Sequence, residues 1–198
     1  HYESPDERGV DVALLYDSTQ VNILNSKPLY VDIQGDNTRD ILYVCCLVNR
    51  NDTIHAMVCH LPSKLGGSGA TQWKRDMAKQ VLQQEIDSIL SLHSSANIVV
   101  MGDMNSEPID DLVGLINVTK YLEKEGKGTH KYKGIWSCLD QFYVSSHLLK
   151  ESSVSIFSPE WLLEEDTKYL DYQPKRTYAG YRYHDGYSDH LPIVLHLN

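Results

Sequence analysis

The feature that most constrains the fold is a long amphipathic segment followed closely by a short apolar one. Between residues 71 and 92, apolar side chains recur at every third or fourth position, which is typical of a helix that buries one face. Residues 98–101 are continuously apolar and stop at Gly102, as a buried strand does. Thr71 is the predicted N-cap of the helix. A long helix packed on a sheet in this way predicts an α/β layered architecture.

Other apolar runs predict the strands that this helix would cover. They span residues 10–16, 41–48, 53–60, 139–144 and 191–197. The polar run at 49–52 is typical of a hairpin turn between the second and third of these strands. A flexible loop is expected at 65–69 and a surface loop at 114–133, because glycine or charged residues are frequent in both stretches.

The length and charge of the chain limit its function classes. With 198 residues, a single domain over residues 1–198 is expected. The net charge of −9 argues against a dedicated DNA-binding module, although it does not exclude a nuclease with a locally basic groove. No apolar stretch approaches the roughly 20 residues that span a bilayer. The cysteines have no metal-ligand spacing and are expected to be reduced and mostly buried; they are Cys45, Cys46, Cys59 and Cys138.

A carboxylate and an amide stand directly after the predicted buried strand. Asp103 and Asn105, in Gly102-Asp103-Met104-Asn105, share one side if the chain is extended. Phosphoester hydrolysis needs such a pair. The carboxylate can activate water or hold a metal ion, and the amide can donate to the charge that develops on phosphorus. Taken alone, the tetrapeptide fits an ordinary Asx-turn better.

Four further polar side chains stand at the ends of predicted strands. Asp189 and His190 precede the last strand, where one could bind a divalent cation and the other a phosphate. His60 ends a strand and could reach a phosphate oxygen or a leaving group. Asp140 begins an apolar strand and could orient a catalytic imidazole. Considered singly, each is also typical of a turn or a structural contact.

Several side chains are candidate phosphate contacts. Ser63 and Lys64 lie in a Pro-Ser-Lys loop after the third predicted strand, and Arg8, Arg75 and Arg176 are the other candidate cations. A solvated surface charge is the alternative interpretation for each of the four cations.

Taken together and in this order, these motifs resemble the endonuclease/exonuclease/phosphatase superfamily, in particular the bacterial members of its nuclease-like branch. The matching segments extend from one end of the chain to the other. They are residues 4–16, His60-Leu61-Pro62-Ser63-Lys64 with Gly66-Gly67, Gly102-Asp103-Met104-Asn105, Leu139-Asp140-Gln141, Arg176-Thr177-Tyr178 and Ser188-Asp189-His190-Leu191-Pro192. The number and order of these motifs make coincidence an inadequate explanation.

The resemblance implies a four-layer α-β-β-α sandwich of the deoxyribonuclease I-like type, with the active site at the rim where two sheets meet. By position, Asp103 matches the residue that activates the attacking water, and Asn105 matches its partner in holding the phosphate. His190, oriented by Asp140, matches the imidazole that contacts the scissile phosphate. His60 matches a second histidine that helps the leaving group depart. Arg8, Ser63, Lys64 and Arg176 would bind the rest of the substrate.

The resemblance also implies a divalent metal ion, Mg²⁺ or in its place Mn²⁺ or Ca²⁺, with Asp189 and Asp103 as ligands. Asp11 is a weaker match to a carboxylate near His60. The family's main metal ligand is a glutamate on an early strand, and no match to it is found in this sequence. The chain is therefore expected to be the C-terminal two-thirds or so of the family domain. Such an N-terminally incomplete fragment could be inactive and could self-associate through an exposed sheet edge.

These motifs predict a divalent-metal-dependent phosphodiester hydrolase, with a nuclease favoured and nucleic acid as one candidate substrate. A phosphomonoesterase of the same fold, acting on a lipid or sugar phosphate, is an alternative that the net charge of −9 supports. A catalytically silent binding module is another. The resemblance is to bacterial proteins, and the localisation is not indicated; export of the full-length form is left open.

Overall fold

The structure, a computed structural model, describes residues 1–64, 66–108 and 112–197, so Leu65 of the predicted glycine-rich loop lies outside the described residues. The strands in chain order are β1 (Val21–Leu29), β2 (Ile41–Val48), β3 (Asp52–His60), β4 (Asn97–Asp103), β5 (Leu115–Asn117), β6 (His130–Tyr132), β7 (Ile135–Ser137), β8 (Asp140–Ser145), β9 (Ser152–Ile156), β10 (Leu163–Asp166), β11 (Asp171–Pro174), β12 (Tyr178–Ala179), β13 (Arg182–Tyr183) and β14 (Ile193–Leu197). The α-helices are α1 (Ser68–Leu92) and α2 (Lys120–Lys124), and two 3₁₀ helices span Ser146–Glu151 and Glu160–Leu162.

Six strands form the central sheet, in the order β1-β2-β3-β4-β8-β5. The predicted hairpin turn joins β2 to β3, and there Asn49 and Arg50 have φ angles of 49° and 64°, as a tight turn between strands requires. β3 and β4 are parallel, which requires a crossover, and α1 supplies it. β8 runs antiparallel to β4. The carboxyl ends of β3 and β4 therefore meet the start of β8 at one rim of the sheet.

The long helix α1 covers one face of this sheet. Its buried residues Ala78, Leu82 and Ile86 share one hydrophobic cluster with Met57 of β3 and Ile98 of β4. Burial of a large aliphatic side chain contributes about 1.5–3 kcal/mol relative to exposure. The predicted contact between the amphipathic helix and the apolar strand is thus the main hydrophobic contact on this face.

The opposite face carries a second, smaller β layer. Val99, Phe142 and Val144 of the central sheet share a cluster with Val154 of β9, which pairs with β14. The predicted α/β fold of the deoxyribonuclease I-like type is confirmed. Among the described residues α1 is the only helix longer than two turns, so the second helical layer expected of the sandwich is not a long helix in this part of the chain.

The state of the cysteines agrees with a further prediction. All four cysteines are free thiols; Cys46, Cys59 and Cys138 are buried and Cys45 is partly buried. Burial raises the pKa of the Cys138 thiol to about 12, so this thiol is not a nucleophile at neutral pH. No helix in the described part of the chain is long and apolar enough to cross a membrane.

Residues 10–16 are not a strand, contrary to the prediction. The segment is assigned to no strand, although Val12 and Leu14 pack against the β2 cluster that contains Leu42 and Val44, while Leu15 is exposed. An alternation of apolar residues indicates that one side of an extended chain is buried. It does not indicate that the chain is hydrogen-bonded to a neighbouring strand. A true strand, β1, was instead missed because its alternation is interrupted by polar residues.

The predicted start of the helix and one predicted loop are also wrong. Helix α1 begins at Ser68 rather than after Thr71, with Gly67 as the N-cap, and the Thr71 hydroxyl donates to the Gly67 carbonyl (3.0 Å) inside the first turn. The stretch 114–133 is not a surface loop, because it contributes β5, α2 and β6 and buries Leu115 and Leu122. Charged residues on the exposed side of these short elements concealed the apolar positions between them.

Candidate active site

Three adjacent strands place three of the predicted site residues side by side. His60 ends β3 and pairs with Asp103, which ends the parallel neighbour β4. Asp103 in turn pairs with Asp140, the first residue of the antiparallel strand β8. Residues paired across neighbouring strands direct their side chains to the same face of a sheet. His60, Asp103 and Asp140 therefore form one row at the rim, which we call the catalytic row.

A fourth predicted site residue, His190, lies in the segment that precedes β14 and contacts this row. His190 Nδ1 lies 2.7 Å from Asp140 Oδ2, a short charge-assisted hydrogen bond in which the imidazole donates. Burial lowers the pKa of His190, but the hydrogen bond and charge of Asp140, together with the charges of Asp103 and Asp189, outweigh it and raise this pKa to about 9. His190 is thus a cation at neutral pH, oriented by Asp140 as expected.

Asp103 occupies the centre of the row and has an unusual pKa. Burial, and then the charge of Asp140, raise the pKa of Asp103 to about 6, against the opposing effects of His190, the Asn105 backbone N–H and Arg39. A carboxylate with a pKa near neutrality is suited to accepting a proton from water. The side chain therefore has the properties of a general base.

In this structure both the backbone and the side chain of Asn105 contact Asp103. Its backbone N–H donates to Asp103 Oδ1 (2.8 Å), and its side-chain amide donates both to Asp103 Oδ2 (3.0 Å) and to the Leu61 carbonyl (2.9 Å). Both amide hydrogens are therefore used inside the protein, and none is directed to a phosphate. A φ of 47° at Asn105 makes this wrap around the carboxylate geometrically feasible. Asn105 positions Asp103.

His60 is neutral in this site. Burial, followed by the charges of Arg39, Arg8 and His190, lowers the pKa of His60 to about 4. Its Nε2 lies 3.6 Å from Asp103 Oδ2, which is too long for a good hydrogen bond. A neutral imidazole can donate one hydrogen bond to a leaving oxygen. It carries no positive charge that could neutralise the negative charge on that oxygen.

Asp189 and its neighbours determine which metal ions the site could hold. Asp189 is exposed beside His190, and two groups offer ligand atoms within 4.8 Å of one another: Asp103 with Asp140 and His190, and Asp189 with His130 and His190. Mg²⁺ takes oxygen ligands, keeps several waters and is commonly held by one or two carboxylates. Asp103 and Asp189 are the expected ligands, but they belong to different groups, and Asp140 accepts a hydrogen bond from His190. Neither group contains a glutamate.

The predicted substrate-binding residues differ in their contacts. Arg8 and Lys64 have protein partners, because Arg8 donates to Asp6 (3.2 Å) and Lys64 Nζ lies 3.4 Å from Glu107 Oε1. Arg176 is different, since its Nε is buried and has no hydrogen-bond partner among the described residues. An unpartnered guanidinium donor near the site is suited to an anion. The backbone carbonyl of Ser63 accepts a hydrogen bond from Arg75 of helix α1 (3.3 Å).

Two further expectations are wrong. Asp11 is not a partner of His60; its Oδ1 accepts hydrogen bonds from the backbone N–H (2.9 Å) and the hydroxyl (2.7 Å) of Ser4. Arg75 is not a solvated charge, because it is fully buried and donates to the carbonyls of Pro62 and Ser68. Arg75 thereby links the loop that follows His60 to the first turn of helix α1.

Arg39 is a site residue that the sequence analysis missed. It is buried, and it donates to the carbonyls of His60 and Leu61 (both 2.9 Å) and to Asp6 Oδ2 (2.7 Å). It therefore holds the end of β3 in place beneath the catalytic row. The polar run around Arg39 is typical of an exposed loop, so only the tertiary structure indicates its burial.

We expect Asp6→Asn to destabilise the protein at neutral pH. The hydrogen bonds of Asp6 to Arg8 and Arg39 outweigh its burial and lower its pKa to about 2. The ionised form therefore stabilises the fold by about 2 kcal/mol above pH 4, and this contribution disappears as pH falls towards 2. Urea unfolding at pH 7 and near pH 3 should show a smaller difference between variant and wild type at the lower pH. The exposed Asp52→Asn is the control, and an equal loss at both pH values would contradict the prediction.

Comparisons with known proteins agree with the observed fold. A family model described as Endonuclease/Exonuclease/phosphatase family matches residues 1–198. A search of curated proteins gives no match. Similar solved structures include truncated Caenorhabditis elegans TDP2 (TM-score 0.62, 13% identity, 90% of this chain and 66% of that one) and the human nocturnin catalytic domain (0.54, 16%, 90% and 59%). Mannosyl-6-phosphatase Bt3783 of Bacteroides thetaiotaomicron is also similar (0.55, 11%, 92% and 69%).

These structural likenesses are at low identity and concern the fold alone. The chain spans 66% of the TDP2 chain and 59% of the nocturnin chain. The family match, by contrast, covers the whole of the sequence. The chain therefore belongs to the endonuclease/exonuclease/phosphatase family.

Proposed function

We propose that this chain carries the catalytic site of a divalent-metal-dependent phosphodiester hydrolase, specifically a nuclease. The observation that carries the proposal is the pairing of a base with a cation. Asp103 has a pKa of about 6 and His190 one of about 9, and ligand atoms of Asp103, Asp140 and His190 lie within 4.8 Å of one another. Two neighbouring groups with pKa values on either side of neutrality can divide acid and base work.

The roles of the side chains follow from this separation. Asp103 accepts a proton from the attacking water as its oxygen bonds to phosphorus, and Asn105 keeps the carboxylate oriented. His190 contacts the phosphate and neutralises the charge that develops as the bond to the leaving oxygen breaks. Asp140 holds the ring of His190 and stabilises its cationic form. His60 is placed to donate a hydrogen bond to the leaving oxygen.

A divalent cation, Mg²⁺ or in its place Mn²⁺ or Ca²⁺, would be held by Asp103 and Asp189. When bound, it would act as a Lewis acid on a phosphate oxygen. Two carboxylates with no glutamate nearby make a weak site for a hard cation. We therefore expect this chain to need metal concentrations well above those of a site with three carboxylates.

A phosphomonoesterase is the second candidate function. The net charge of −9 opposes long-range attraction of a polyanion and favours a small substrate that bears a single phosphate. The likeness to a sugar phosphatase is compatible with this alternative but shows the fold alone.

A substrate panel tests the proposal. In the presence of Mg²⁺ or Mn²⁺, we expect hydrolysis of bis-p-nitrophenyl phosphate and of an oligonucleotide to exceed that of p-nitrophenyl phosphate. Faster turnover of the monoester would instead support a phosphatase. No turnover of any substrate at high metal concentration would overturn the hydrolase assignment for this chain and support the silent binding module.

Self-association through the edge of the sheet remains a prediction. β1 is the outermost strand of the central sheet on one side, and it contains Lys27 and Pro28. Both residue types disfavour pairing between edges. A sedimentation-velocity measurement that gives a monomer at high protein concentration would contradict the prediction.

A further inference from the structure

His190 also belongs to a second set of donors, which includes no member of the catalytic row. His130 begins β6, and its backbone forms an antiparallel bridge with His190. Bridged residues direct their side chains to the same face, and the centroids of these two rings are 4.8 Å apart. One ligand atom from each of His130, Asp189 and His190 lies within 4.8 Å of the other two. Two imidazoles and one carboxylate thus converge on one point.

His130 has no part in the proposed hydrolysis. Its ring is partly buried, and among the described residues it has a ring contact with His190 but no hydrogen bond from either ring nitrogen. The ring nitrogens of His130 are not among the buried atoms that lack a hydrogen-bond partner, so they are accessible to solvent. A metal ion can therefore reach this ring.

His190 is already oriented as a metal-binding histidine is. Its Nδ1 donates to Asp140 Oδ2 at 2.7 Å, so Nε2 is the nitrogen left for a ligand. Histidines that bind metals almost always donate their other ring nitrogen to a carboxylate or carbonyl, which fixes the tautomer and raises the basicity of the ligand. Asp140 is itself fixed, because it pairs with Asp103 and its backbone N–H donates to the Thr129 hydroxyl (3.3 Å).

We propose that His130, Asp189 and His190 form a binding site for a transition-metal ion, specifically Zn²⁺, that blocks the adjacent phosphate site. Two nitrogens and one oxygen are a donor set for Zn²⁺ rather than for Mg²⁺, which prefers oxygen alone. Tetrahedral Zn²⁺ places its ligand atoms about 3.3 Å apart. Small side-chain rotations would bring ligand atoms that already lie within 4.8 Å of one another to this spacing, with water in the fourth position.

Binding of Zn²⁺ would remove two groups from the hydrolytic site. The ion takes the Nε2 of His190, which in the proposed function faces the phosphate, and the carboxylate of Asp189, which would help hold Mg²⁺. This inhibition rests on the proposed function. The metal site itself does not, because it depends only on the positions of the three donors.

Isothermal titration with ZnCl₂ tests the binding. A separate group, His1, Glu3 and Asp11, also offers three donors, so the measurements are made in a Glu3→Ala background of the full chain. The metal competes with a proton for the ring nitrogen, so a mildly alkaline buffer is used. We expect His130→Ala to weaken Zn²⁺ binding at least about tenfold, and Asp140→Asn to weaken it by roughly 10–100-fold. Wild-type affinity in His130→Ala would overturn the site.

Matched controls separate ligation from a general effect on the fold. His147→Ala removes a histidine that is not one of the three proposed ligands and whose ring is hydrogen-bonded to Asn97. This substitution should leave Zn²⁺ affinity unchanged. Co²⁺ is the spectroscopic probe, because its visible absorption reports imidazole ligation; this absorption should be lost in His130→Ala. If that variant does not fold, His130→Gln replaces it. An unchanged Co²⁺ spectrum in the folded variant would also reject the proposal.

Activity gives a third, separate readout. With Mg²⁺ present, Zn²⁺ should inhibit the wild type, and the inhibitory concentration should rise at least about tenfold in His130→Ala. Equal inhibition of both proteins would refute the blocking role. If neither protein hydrolyses any substrate, the proposed function fails, while the titration still decides whether the metal site exists.

Discussion

Asp103→Asn is expected to lower the turnover of a phosphodiester by about 10²–10⁴-fold, because asparagine cannot accept a proton from water. The substitution keeps the size of the side chain and one acceptor for the Asn105 backbone N–H. Turnover of bis-p-nitrophenyl phosphate at saturating Mn²⁺ measures the loss. Asp87→Asn, at an exposed position of helix α1, is the matched control and should retain wild-type turnover.

The stability of the same variant distinguishes a catalytic role from a structural one. Burial and the charge of Asp140 raise the pKa of Asp103 to about 6, so its ionised form destabilises the fold as pH rises from about 4 through 6. Replacement by asparagine removes this penalty at pH 7 but also loses one hydrogen bond from Asn105. We expect the free energy of unfolding to stay within about 1 kcal/mol of wild type. Full turnover, or a large loss of stability, would contradict the assigned role.

The catalytic row was predictable in its members but not in its geometry. A buried strand that stops at Gly102-Asp103, and a histidine at the end of another strand, indicate polar groups at a sheet edge. The pairing of His60 with Asp103, and of Asp103 with Asp140, depends on strand order and register. No local pattern encodes these, because strands distant in sequence choose partners through tertiary packing.

The supporting residues were the least predictable part of the site. Arg39 and Arg75 are both buried and donate to backbone carbonyls around the His60 loop. Arginine is almost never fully buried without partners, and here most of those partners are backbone groups, which sequence patterns do not reveal. Asn105 illustrates the same limit: its position was predicted, but its amide turns inward to Asp103 rather than outward to a phosphate.

Gly102→Ala is expected to destabilise the fold by about 4 kcal/mol or more. Gly102 has a φ of 128°, which L-residues avoid, and a Cβ at this position would lie 2.0 Å from the Cys59 carbonyl oxygen. The strain of the backbone and the overpacking each cost about 1–3 kcal/mol. The neighbour is main chain of β3 and cannot rotate away. Much of the 5–15 kcal/mol that typically holds a domain together would be lost.

Urea unfolding compares this variant with Gly69→Ala. Gly69 lies in helix α1, where an added Cβ meets nothing within 4 Å, so alanine should be neutral or stabilising by up to about 1 kcal/mol. Equal stability of the two variants would contradict the prediction. The cost at Gly102 arises from the close approach of β4 to β3, the same approach that aligns His60 with Asp103. The folded fraction of the Gly102→Ala protein should therefore have a lower hydrolytic activity per molecule than the wild type.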